Sequence, residues 1–258
     1  SAFYEGDIAQ AMSAYFKSIG ADLTLSDLSA HEGEWVEPRG VNYHGYTLYE
    51  LPPNGQGFAA LMMLNILKQT DVRQFERGSP ELFHYMVEAK RLAFEAMAGT
   101  FADPDFADIP LDALLSDGFA KRQFARIRKD AVIEPKFLAV PLEGEGDTTY
   151  LTVVDKSGLM VSLIQSNYRG MGSGLVPKGL GFMLQDRGEL FSLEDGHPNV
   201  YAPGKRPFHT IIPAFLLKDD EPFMSFGLIG GGMQPQGHVQ ILVNIADFGM
   251  NLQEAGDA

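Results

Sequence analysis

The sequence predicts an α+β protein, and three observations carry that expectation. Before Asp147 apolar side chains recur at helical spacing; after it the chain breaks into short β-rich runs separated by glycine loops. Between the two, Leu142-Glu143-Gly144-Glu145-Gly146-Asp147 is acidic, holds two glycines and has no apolar pattern after its first residue. That composition describes an exposed, flexible leader. The junction Asp147-Thr148 therefore separates a mostly helical part, 1–147, from a β-rich part, 148–258.

In the first part, Ile8, Met12, Tyr15 and Ile19 recur at helical spacing behind Asp7, with Gly20 placed to end an amphipathic helix over 7–19. Thr24-Leu25-Ser26-Asp27 offers side-chain caps for a short helical turn. Glu34-Trp35-Val36, Val41-Asn42-Tyr43 and Tyr46-Thr47-Leu48-Tyr49 read as strands, with a turn at His44-Gly45. Pro52 to Gly57 is a turn cluster. The apolar run Phe58 to Leu67 suits a buried helix, being too long for a typical strand and built from Ala, Leu and Met. Ser79-Pro80-Glu81 is an N-cap followed by proline at the first helical position, opening a helix from 80 to about 98 with Phe83, Met86, Val87 and Phe94 inward. Asp103-Pro104-Asp105 is another turn cluster. Pro110 to Ile127 reads as one or two helices interrupted near Asp117-Gly118, and its basic residues Lys121, Arg122, Arg126, Arg128 and Lys129 read as a solvated face, since no glycine-rich loop accompanies them.

In the second part, Thr149 to Val154 and Leu159 to Ser166 are predicted strands of a hairpin turning at Asp155-Lys156-Ser157-Gly158. Phe182 to Gln185 and Thr210 to Leu217 are further expected strands, and Asp219-Asp220 turns the chain into Phe223 to Gly227. The last predicted element is a helix over Gly237 to Phe248. It follows Gly230-Gly231-Gly232, so backbone N–H groups are presented near a helix entrance, where negative charge is favoured.

Composition bounds the chemistry. The 258 residues are 45% hydrophobic and 21% charged, ordinary for a globular chain forming one large domain or two small ones. With 20 Lys and Arg against 34 Asp and Glu, the net charge of −14 disfavours nucleic acid and anionic membrane as partners. The absence of cysteine excludes disulfides, thiolate metal sites and cysteine catalysis, and leaves cytoplasm and periplasm equally open. No run approaches the ~18 apolar residues of a membrane span, and no secretion signal opens the sequence.

Several familiar sites fail on spacing. Gly170-Met171-Gly172-Ser173-Gly174 is not a dinucleotide fingerprint; the histidines at 31, 44, 84, 197, 209 and 238 form no ligand pair, so no metal or other cofactor is expected; a G-x-S-x-G elbow is missing. The hydroxyl of Thr148 is a different proposition. A threonine is a poor nucleophile at neutral pH unless a base lies within hydrogen-bond reach, and a chain-terminal α-amine is such a base. Cutting before Thr148 would put both groups on one residue, although the dipeptide alone reads better as a loop entering a strand. The triple glycine is equally balanced between a tight turn and an oxyanion hole made of backbone N–H groups.

Read together, Asp147-Thr148-Thr149-Tyr150 through Gly158, Asn199-Val200-Tyr201, Lys205-Arg206-Pro207, Gly230-Gly231 and Asp247-Phe248-Gly249-Met250-Asn251 resemble the γ-glutamyltranspeptidase family in order and spacing. The likeness reaches back through Asp103-Pro104-Asp105-Phe106 and Leu51-Pro52-Pro53 to Ala2-Phe3-Tyr4-Glu5-Gly6, and it covers nearly the whole chain. It implies an N-terminal nucleophile hydrolase with an αββα four-layer sandwich, incomplete here because the chain looks truncated at both ends. Residues 1–147 would close the large subunit of a zymogen, and 148–258 would be its small subunit, released by autocatalytic cleavage between Asp147 and Thr148.

The same resemblance makes Thr148 the nucleophile, Ser166 the hydroxyl that hydrogen-bonds it, and Gly230 and Gly231 the oxyanion hole. It implies a γ-glutamyltransferase or glutathione hydrolase activity, with transfer of the acyl group to water or an amine. At the substrate site the chain departs from the family: positions that hold an asparagine, a glutamine and an aspartate there are Tyr168, Arg187 and Leu190 here, and the paired serines are His209 and Thr210. Losing the aspartate removes the partner of a substrate ammonium, while Arg187 could hold a substrate carboxylate or be a surface arginine beside Asp186. These substitutions look like the acylase-type branch, so a cephalosporin or glutaryl acylase-like amidase stands as the alternative, beside an inactive binding module.

Overall fold

The computed structural model describes residues 1–134 and 146–258; most of the predicted leader, 142–145, lies outside them. Local chemistry sets the helix starts. Thr24 and Asp27 form a reciprocal capping box at α2 (Leu25–Ala30), Ser79 accepts from the Leu82 N–H ahead of Pro80 at α4 (Pro80–Thr100), and Ser116 accepts from the Phe119 N–H at α6 (Asp117–Phe124). α1 (Asp7–Ser18) runs out at Gly20, whose φ of 75° is a left-handed conformation that favours a residue without a Cβ. Preceding α6, α5 (Leu111–Leu114) is a single turn.

α3 (Gly57–Leu67) has no polar face, and all of its residues are buried. It is the axis of the main core. Around it pack Leu82, Met86, Leu92 and Met97 of α4, Tyr43 of β1 (Arg39–Tyr43), Leu48 of β2 (Tyr46–Glu50), Leu216 of β5 (Ala214–Lys218), Phe226 of β6 (Glu221–Phe226) and Leu242 of α7 (Gln234–Ala246). The four strands form one antiparallel sheet in the order β1-β2-β5-β6, so two strands from each part of the sequence share it and meet at the β2-β5 pairing. The short α8 (Leu252–Asp257) ends the chain.

The remaining strands, β3 (Gly146–Val154) and β4 (Met160–Arg169), form a hairpin of their own. Alternation turns Tyr150, Thr152 and Ser162 towards β6. There Thr152 Oγ1 shares a hydrogen bond with Ser225 Oγ, and the Tyr150 ring lies so close over Gly227 that a Cβ would come within 2.5 Å of it. Only glycine fits that contact. The opposite face of the hairpin exposes Leu151, Val153, Val161 and Leu163.

Several expected elements differ. Glu34-Trp35-Val36 has no ladder partner and Trp35 is fully exposed. Phe182 to Gln185 is irregular: Phe182 and Leu184 instead pack beside Met12 and Phe16 of α1. On α4 Met86 and Phe94 face inward as expected, but Phe83 and Val87 point outward, and Leu82 and Tyr85 fill the inward positions beside Met86. β5 begins at Ala214 rather than Thr210, because residues 210 and 212 spend their polar groups on side chains rather than on a neighbouring strand. α7 begins at Gln234, with Pro235 in its first turn, rather than at Gly237, whereas the interruption expected near Asp117-Gly118 is present, at Leu115-Ser116 between α5 and α6.

Candidate active site

Thr148 lies on the inward face of β3 and pairs with Ser166, while Asp147 pairs with Tyr168. The shift in register leaves Asn167 as an extra residue on β4, a β-bulge directly opposite the Asp147-Thr148 junction. Bulges bend a strand and re-aim the side chains beside them. Here the Thr148 Oγ1 hydroxyl donates to Ser166 Oγ at 3.0 Å, and the Tyr168 N–H donates to the same oxygen at 2.9 Å. Ser166 thus fixes the nucleophile candidate and the bulge together. Tyr168 has a φ of 77°, a left-handed backbone that costs a side-chain-bearing residue about 1–2 kcal/mol. Offsetting contacts come from Arg169 and Arg187, whose guanidinium carbons lie 5.7 Å and 5.4 Å from its ring centre.

Arg187 starts the short turn Arg187–Leu190 and is only 7% exposed, so it is no surface arginine. Its Nη1 donates to Thr210 Oγ1 at 3.0 Å, and its buried Nη2 has no partner. Among the described residues no carboxylate forms an ion pair with it. Burial pushes its pKa down, opposed by the fields of Tyr168 and Asp186. His209, beside it, has a buried and unpartnered Nδ1, and burial followed by the positive fields of Arg187 and Arg206 pushes the ring down to about 4. It is neutral at physiological pH. Leu190 packs against the main core.

The segment bearing His209 and Thr210 is held from both sides. Asn199 Oδ1 accepts the Phe208 N–H at 3.0 Å and its amide donates to Leu190 O at 2.7 Å, while the Arg206 N–H and guanidinium both donate to buried Asp103 at 2.7 Å. The motif residues at 103–105, 199–201 and 205–207 therefore serve as a scaffold.

Gly230, with φ 110°, and Gly231, with φ 54°, carry the chain from β6 into α7. No described acceptor takes the N–H of either residue. Contacts along the inward face of β3 step by two residues, Thr152 to Ser225 and Tyr150 to Gly227, so the strand that carries Thr148 runs alongside the end of β6. Gln56, fully buried, joins the two sides: its amide donates to Thr210 O at 2.6 Å and to Gly231 O at 2.8 Å.

Gln56 and the bulge at Asn167 escape sequence reasoning, as does the buried pair of Glu50 and His238, 2.5 Å apart, which ties β2 to α7. Burial raises the Glu50 pKa, and His238 opposes the rise. The available signal for Gln56 was a polar side chain set immediately before a helix with no polar face. Two clefts approach the site: one of about 890 Å³ reaches His209 between 51–55 and 104–109, and one of about 420 Å³ reaches Ser166 between Phe3 and 182–185. Among the described residues no cluster of three metal-ligating side chains exists, and no helix is long and apolar enough to cross a membrane.

All of residues 1–258 match the family described as gamma-glutamyltranspeptidase. The chain is 42% identical over 258 residues to the glutathione hydrolase-like YwrD proenzyme of Bacillus subtilis, covering 99% of this chain and 48% of that protein. It is 34% identical over 253 residues to the oxamate amidohydrolase proenzyme of Klebsiella pneumoniae, covering 98% and 47%. The crystal structure of a cephalosporin acylase from Bacillus halodurans superposes with a TM-score of 0.90 at 42% identity, covering 100% of this chain and 46% of that one. The chain thus spans about half the length of the relatives it matches.

Proposed function

We propose, from the premise that this chain belongs to the γ-glutamyltranspeptidase family, that it supplies the nucleophile half of a self-processing amide hydrolase or acyltransferase. Thr148 Oγ attacks the carbonyl carbon of Asp147, the peptide nitrogen leaves as the α-amine, and water hydrolyses the resulting ester. The cut frees an amine on the same residue as the hydroxyl. That amine then takes the hydroxyl proton as Thr148 attacks a substrate amide, and passes it to the leaving amine. Water or a second amine releases the acyl group.

The observation that carries this reading is the 3.0 Å hydrogen bond from Thr148 to Ser166 at a bulge facing the junction. Ser166 orients the hydroxyl. The unengaged N–H groups of Gly230 and Gly231 suit an oxyanion hole, where each donor is worth about 3 kcal/mol. Tyr168, Arg187, His209 and Thr210 form the substrate side, with a γ-glutamyl amide as the first candidate and another carboxylated amide as the second. Both curated relatives named above are called proenzymes, which supports a zymogen whose large subunit ends at Asp147 and whose small subunit opens at Thr148. On this reading the helices, the four-stranded sheet and the hairpin are layers of an αββα sandwich, completed by sequence outside this chain.

Denaturing mass spectrometry of the full-length protein tests it. The wild type should split between Asp147 and Thr148, and Thr148→Ala should remain whole. A wild type that stays whole and still turns over amides contradicts the proposal; one that stays whole without activity points to a binding module.

A further inference from the structure

We infer that Glu50 and His238 are positioning residues for acyl transfer: with Gln234 and Gln56 they hold the Gly230-Gly231 segment in one shape. This rests on the reading of those glycines as an oxyanion hole. Both have left-handed backbones, φ 110° and 54°, and glycine loses more conformational freedom on ordering than any other residue. Such a segment keeps its N–H groups aimed only where its neighbours fix it.

The fixing groups reach it from two helix starts. Gln56, the residue ahead of α3, donates to Gly231 O at 2.8 Å. On the other side Gln234 opens α7, and its Oε1 accepts the Ile212 N–H at 3.3 Å. His238 lies one turn further along the same face of α7 and meets Glu50 at 2.5 Å. Glu50 also braces the first start, because its side chain crowds Gly57 so closely that a Cβ there would lie 2.7 Å from Oε2. Neither start has a side-chain cap hydrogen bond, so one buried carboxylate stands between the two.

The four side chains are at most 1% exposed. Each keeps one polar atom, Glu50 Oε2, Gln56 Oε1, Gln234 Nε2 or His238 Nε2, without a partner among the described residues. Atoms left so cost stability, and apolar side chains of the same volume would avoid the cost. Their presence marks a place specified for geometry rather than for packing.

Three variants of the full-length protein separate positioning from stability. Glu50→Leu with His238→Phe replaces the pair by apolar side chains of similar size and should melt near wild type. Its kcat should nevertheless fall at least ~10-fold with KM within ~3-fold, the split expected of an interaction made in the transition state. Gln234→Leu, which leaves the pair intact, should show the same split at ~5-fold, and Glu50→Gln, which keeps a hydrogen bond to the His238 ring, should stay within ~3-fold in kcat. Hydrogen exchange on peptides spanning 228–234 reads the same effect without turnover and should quicken by ~10-fold in the double variant and little in Glu50→Gln. Wild-type kcat and exchange in either the double variant or Gln234→Leu overturns the inference, as does a Glu50→Gln variant as slow as the double. A wild type left uncut and inactive would sink the acyl-enzyme reading instead, and the exchange comparison would still decide whether the pair holds the glycines.

Discussion

Replacing Ser166 by alanine removes one oxygen that accepts two hydrogen bonds, from the Thr148 hydroxyl at 3.0 Å and from the Tyr168 N–H at 2.9 Å. A neutral hydrogen bond contributes about 1 kcal/mol net, and a half-buried N–H left without an acceptor costs about 1–2 kcal/mol more. The Tyr168 backbone, already left-handed at φ 77°, loses the bond that restrains it. Together these place the loss at about 2–3 kcal/mol, and if it falls on the positioned state of Thr148 it slows reaction by about 30- to 150-fold. Ser166→Thr keeps the oxygen on a strand that tolerates β-branching and should stay within about 3-fold of wild type. The assay is the rate of appearance of a Thr148 N-terminus, followed by kcat of the processed enzyme. Processing and turnover of Ser166→Ala within about 2-fold of wild type would refute the reasoning, because the hydroxyl would then not be holding the nucleophile.

Other perturbations test separate parts of the site. His209 falls from an ordinary 6.5 to about 4 on folding, so the unfolded chain binds the extra proton between those values. Its contribution is therefore lost as pH drops from about 6.5 to about 4, by at most about 3 kcal/mol, and denaturant midpoints should fall less steeply over that range in His209→Gln. Gly230→Ala forces a Cβ onto a backbone at φ 110°, at about 1–3 kcal/mol, and should lower kcat by more than 10-fold while KM stays near wild type. Gln56→Ala deprives Thr210 O and Gly231 O of their shared donor; about 2–3 kcal/mol of thermal stability and a large share of kcat should go together.

What the sequence makes legible is local. The apolar run that becomes α3, the caps at Thr24, Ser79 and Ser116, and the hairpin turn at Asp155-Lys156-Ser157-Gly158 each depend on residues a few positions apart. The pairing of Thr148 with Ser166 follows from the same hairpin, and the resemblance to known γ-glutamyltranspeptidases supplied its proposed meaning. Edge assignments fail for a physical reason: Glu34-Trp35-Val36 and Phe182 to Gln185 have strand-like composition, but a strand exists only where a neighbour offers its ladder, and neither has one. Gln56 is invisible because its two acceptors lie 154 and 175 residues away. The burial of Arg187 is equally non-local, arising from Tyr168 and Thr210 on two other segments.

N-terminal sequencing of the small subunit from active, full-length material asks whether the hydroxyl and the amine come to reside on the same residue. A free α-amine on Thr148, present in proportion to activity and absent after Thr148→Ala, is the predicted result. Active protein in which the Asp147-Thr148 bond is intact, or in which that amine is blocked, would contradict the account.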